Sequence, residues 1–108
     1  MIIYNTSFII DTARYEALLT WLRTIAIPSV TAPGTKAIET TLTTLIEVPG
    51  DDSFTEQARN IMLQVTFDNL KDAHDWSHNN LHALLTEYSR RFGSEAIAFR
   101  TISERLPL

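Results

Sequence analysis

Two amphipathic stretches with an apolar repeat near 3.6 residues are each flanked by runs of β-branched and aromatic residues, and that alternation limits the chain to few folds. Residues 2–10 (IIYNTSFII) read as a first strand. Asp11 and Thr12 follow as capping residues, and Tyr15, Leu18, Leu19, Leu22, Ile25 and Ala26 then fall on one helical face. Pro28 lacks an N–H and is expected to kink that helix or start a new turn; Pro33-Gly34 closes it. Residues 36–48, rich in Thr, Ile, Leu and Val, predict a long second strand, and the cluster at 49–53 a turn. Residues 59–67 form the third strand, and Asp68 or Asn69 opens a second helix running to about Arg91, with Gly93 as its stop. Its apolar stripe is Leu70, Ala73, Leu81, Leu84, Leu85, Tyr88 and Phe92, and residues 95–102 give a fourth strand. The order β-α-β-β-α-β predicts an α+β domain of the ferredoxin-like kind, with two helices on one face of a four-stranded antiparallel sheet.

At 108 residues the whole chain, 1–108, is expected to be a single domain. A net charge of -4 speaks against a nucleic-acid backbone as partner, because phosphate neutralisation needs clustered Lys and Arg. The chain has no cysteine, which excludes disulfides, thiolate catalysis and cysteine-ligated zinc. No basic segment precedes an apolar core at the N-terminus, and no apolar run approaches the ~18 residues of a spanning helix. The expectation is a cytoplasmic protein without a membrane partner.

Side chains alternate across a strand, so the two sheet faces can be sorted. Tyr4, Phe8, Ile38, Leu42, Ile46, Ile61, Leu63, Val65, Phe67, Ile97 and Phe99 form a strongly apolar set, expected under the helices. The opposite set mixes Ile3, Ile9, Leu45, Met62, Ala96, Ala98 and Ile102 with Asn5, Ser7, Gln64 and Arg100. No helix remains to cover it, and this composition suits a pocket lining or a wet interface. Asn5, Ser7, Met62, Gln64 and Arg100 are therefore the candidate pocket or dimer-face residues. Arg100 offers a planar fork of donors to a small polar or anionic ligand, or else pairs with Glu39 across the sheet or across a dimer.

Other candidates are weaker. His74, His78 and His82 recur every four residues, the spacing of a chelating helix, but lack the intervening Glu of a zincin and an added acidic ligand. On an α-helical wheel they drift from the apolar stripe toward solvent, so no metal is expected. Trp76 falls off the stripe and is a candidate surface interface anchor. Asp51, Asp52 and Glu56 lack the glycine and alternating ligands of a calcium loop. RNA-recognition domains share the topology, but the third strand here, RNIMLQV, offers no aromatic for a base. The three glycines stand alone, so no phosphate loop exists.

The opening Met1-Ile2-Ile3-Tyr4-Asn5-Thr6, the segment from Trp21-Leu22 to Ile27-Pro28, Gln64, Arg91-Phe92-Gly93 and Phe99-Arg100-Thr101 together resemble the bacterial domain-of-unknown-function family 4286. Ala26 stands where the family pattern leads one to expect a histidine. The resemblance implies a place in the dimeric α+β barrel group, in which two ferredoxin-like domains press their open sheet faces together. That group includes quinone-type monooxygenases, haem-degrading enzymes and plain ligand-binding modules. Asn5 and Trp76 could fill two roles of the haem-degrading members, but the histidine spacing does not match. The expectation is thus a homodimeric binding or interaction module that needs no cofactor. A cofactor-independent monooxygenase-like enzyme and a structural subunit of a larger complex are the alternatives.

Overall fold

The computed structural model describes residues 1–46, 50, 58–93 and 96–108. Four strands, β1 (Ile2–Asp11), β2 (Glu39–Thr44), β3 (Ala58–Phe67) and β4 (Ile97–Glu104), form one antiparallel sheet in the order β2-β3-β1-β4. β1 is central, where a run of β-branched and aromatic residues satisfies both ladders and fills the core. This is the predicted ferredoxin-like arrangement. β2 is shorter than expected, beginning at Glu39, and the residues after Ile46 up to Pro49 lie outside those described, as do Asp51, Asp52 and Glu56. The Ile38 N–H and the Leu45 N–H still reach Thr66 and Asn60 carbonyls, at 2.9 and 3.2 Å.

Both helices are composite. α1 opens with a 3₁₀ turn (Thr12–Arg14), continues as α-helix Tyr15–Trp21, widens to a π-turn at Leu22–Ala26, and ends as α-helix Ile27–Val30. Pro28, which donates no hydrogen bond, stands just beyond the widened turn, with Ile27 between them. α2 consists of α-helix Leu70–Trp76, a π-turn at Ser77–Leu81 and α-helix His82–Phe92. Asn69 caps it as expected, accepting the Asp72 N–H at 2.9 Å, and Gly93 ends it at φ 86°. Among the described residues no helix is long and apolar enough to cross a membrane.

The helices cover the face carrying Tyr4, Phe8, Ile61, Leu63, Val65 and Phe67, all buried. Tyr88 locks the layers together: its ring meets Phe8 edge-on at 5.0 Å, and its hydroxyl donates to the Ile9 and Ile97 carbonyls at 3.2 and 3.3 Å. Burial pushes that phenol up to about 12, so it remains a donor throughout the neutral range.

Candidate functional site

On the uncovered face the register sets four residues in a row across the sheet: Thr101, Asn5, Gln64 and Thr41. The neighbouring rows are Phe99, Ser7, Met62 and Thr43 on one side and Ser103, Ile3, Thr66 and Glu39 on the other. A polar relay runs through the centre. Gln64 Nε2 donates to Asn5 Oδ1 at 2.7 Å, and Asn5 Nδ2 donates to Ser103 Oγ at 3.2 Å. Around it stand half-buried Ile3, Ile9 and Met62 and the exposed rings and chains of Phe99 and Ile97, 58% and 46% accessible. Four of the five candidate residues, Asn5, Ser7, Met62 and Gln64, thus share one face.

Arg100 does not join them. It sits opposite Thr6, a core position of β1, so its side chain leaves the sheet on the helix side, where it lines a recess with His74, Ser77, His78 and His82. β4 is turned over relative to expectation. Ala98 pairs with Phe8 under the helices, while Ile97 and Phe99 face outward. The pairing with β1 sets this parity, and Ala96 and Ala98 line a recess on the helix side together with Leu85 and Tyr88. Glu39 lies on the open face at the far strand, so the expected Arg100–Glu39 pair does not form within the chain.

Trp76 is likewise not a surface anchor. It is 2% exposed, contacts Tyr4 and Phe67 at ring separations of 5.5 and 5.3 Å, and donates from Nε1 to the Val30 carbonyl at 2.8 Å. The π-turn explains the difference. On an ideal α-helix the five residues from Trp76 to Leu81 leave the two on different faces, whereas an i→i+5 turn stacks them. The same turn gathers the histidines. Steps of four overshoot a revolution by about 40° in an α-helix but not in a wider turn, so His74, His78 and His82 all line one recess. Among the described residues no three His, Asp or Glu side chains are grouped closely enough to hold a metal ion.

Sequence reasoning missed Phe99, Ile97, Thr101 and Ser103 as members of the open face. Alternation gives the parity of a strand, and only the pairing with β1 says which parity points where.

The sheet order, the helix-covered face and the bare opposite face define a class: ferredoxin-like α+β domains of the kind found in dimeric α+β barrels. Within it, the chain belongs to the family described as domain of unknown function DUF4286, whose model matches residues 1–106. No curated protein matches the chain in sequence. Among solved structures it is similar to an ethyl tert-butyl ether d (EthD) family protein from Bacillus halodurans C-125, with a TM-score of 0.70 at 12% identity, covering 98% of this chain and 100% of that one. It is also similar to a candidate antibiotic biosynthesis monooxygenase from Deinococcus radiodurans, with a TM-score of 0.68 at 13% identity over 100% and 95% of the two chains. The de novo designed protein Foldit4 matches with a TM-score of 0.62 at 6% identity, over 97% and 98%. A designed chain in this company makes the point that the likeness is one of architecture.

Proposed function

We propose that the protein is a homodimeric binding module that holds a small polar ligand between the open sheet faces of its two copies. The observation that carries this reading is the relay from Gln64 through Asn5 to Ser103, set among uncovered apolar side chains. A face with Phe99 58% exposed leaves apolar surface in water that a second copy would cover. Four strands of about eight residues span roughly 19 Å by 26 Å, the right order for the ~800 Å² per partner of a stable interface. Apposed sheets would enclose the amides, which donate and accept and so orient a polar group inside an apolar cavity.

A monooxygenase-like activity has one support, the description of the Deinococcus radiodurans neighbour. The central amides of Asn5 and Gln64 accept no proton, and Arg100 lies on the other side of the sheet, so the face offers positioning rather than acid–base chemistry.

Light scattering at micromolar concentration should give twice the 12.3 kDa chain mass. Phe99→Asp and Met62→Glu should each return it to the monomer, because a buried unpaired carboxylate is costly. A monomeric wild-type protein overturns the dimer. Native mass spectrometry of dimer from its own cells should show a bound small molecule, lost in Gln64→Leu with the dimer intact; a dimer without added mass argues for a filled interface and against the ligand.

A further inference from the structure

We propose that the recess between α2 and β4, outside the sheet face discussed above, binds a small oxyanion, with Arg100 as its fixed charge and His74, His78, His82 and Ser77 as donors. Arg100 is exposed and, among the described residues, makes no ion pair or hydrogen bond, whereas Arg90 and Arg91 of the neighbouring α2 both pair with Glu87. Guanidinium supplies five donors in a planar fork that matches two oxygens of a carboxylate or phosphate.

The surroundings are built of donors. The π-turn at Ser77–Leu81 keeps three histidines on the side facing Arg100, and π-turns of this kind recur at functional sites. Each imidazole offers an N–H whether neutral or charged. The Ser77 hydroxyl is tied to the buried Tyr4 hydroxyl at 2.7 Å, which fixes its position at the floor of the recess. When Tyr4 donates in that bond, the Ser77 proton is free for a ligand.

Electrostatics favour the same occupant. The chain carries a net charge of -4, yet no carboxylate lines this recess or the adjoining one, which shares His82 and Arg100 with it. The nearest acidic side chain along α2, Asp75, is engaged by Lys71 at 2.7 Å. At about 430 Å³ the recess has room for a phosphate monoester or a small carboxylate. The histidines are too dispersed for a metal, so anion binding is the chemistry their N–H groups can share.

The test follows histidine-ring ¹H–¹⁵N resonances while inorganic phosphate, acetate or chloride is added at matched ionic strength. Saturable shifts of the three rings with phosphate, absent with chloride, are expected. Arg100→Gln should weaken binding at least about tenfold, since a charge-assisted bidentate contact is lost, and His78→Gln should weaken it severalfold. Saturation by phosphate alone identifies a phosphate ester as the ligand class, and saturation by acetate as well identifies oxyanions in general. Both variants replace exposed side chains, so their circular dichroism should match the wild type. Shifts that never saturate, that chloride reproduces, or that Arg100→Gln leaves unchanged overturn the site.

Discussion

Two buried tryptophans, alike in burial and unlike in hydrogen bonding, allow the worth of one bond to be read directly. Trp76 donates to the Val30 carbonyl at 2.8 Å, whereas the Trp21 indole N–H is buried with no partner among the described residues. Trp76→Phe removes that donor and strands a buried carbonyl, at about 1–3 kcal/mol. The smaller ring also loses part of the contacts to Tyr4 and Phe67, about 0.5–1.5 kcal/mol. The total is about 1.5–4.5 kcal/mol. Trp21→Phe loses similar ring contact to Tyr88 and Phe92 but also removes an unpaired donor, so the two effects offset to within roughly 1 kcal/mol. Urea unfolding followed by far-ultraviolet circular dichroism, at one protein concentration, measures the difference. With an m-value of about 1.5 kcal/mol per M, Trp76→Phe should unfold more than about 1 M below Trp21→Phe. Coincident midpoints, or Trp21→Phe the weaker of the two, would refute the claim that Trp76 is a hydrogen-bonded strut between the helices.

Gly93 occupies φ 86° and ψ 177°, a region essentially reserved for glycine, with no atom closer than 4.0 Å to a built Cβ. Gly93→Ala should therefore cost about 1–3 kcal/mol through backbone strain alone, visible as a Tm lowered by at least about 4 °C; an unchanged Tm would contradict this. Hydrogen bonds from Arg90, with a further one from Arg91, hold the Glu87 carboxyl down to about 2 against an ordinary 4.5, despite an opposing contribution from desolvation. The unfolded chain therefore takes up this proton first as pH falls, so the stabilisation is complete above about 4.5 and disappears toward 2. Glu87→Gln should make the urea midpoint vary less steeply across that window, and an identical profile would show that the arginine contacts carry no weight in solution.

The strand–helix order was legible because each element carries its own period and its own stop, from Asn69 at the head of α2 to Gly93 at its end. The centre of the open face was legible too, since Asn5, Ser7, Met62 and Gln64 alternate with unmistakable core residues. Arg100 and Trp76 were misplaced for two physical reasons. In β4 both parities contain apolar residues, and hydrophobicity favours the larger pair, Ile97 and Phe99, as core. The register with β1 instead sets Ala98 opposite core Phe8 and turns the smaller pair toward the helices. In α2 the wheel assumed a constant 3.6 residues per turn, and a single wide turn moved Trp76 from the rim to the core.

Each helix also holds its π-turn between two α-helical segments. A wide turn is topologically a one-residue insertion absorbed without breaking the helix. Relatives that lack it should align with this chain only if a gap is opened inside a helix, at residues 22–26 or 77–81, rather than in a loop. Comparisons that confine gaps to loops will then shift everything downstream by one position, and will pair Trp76 or His78 with the wrong column.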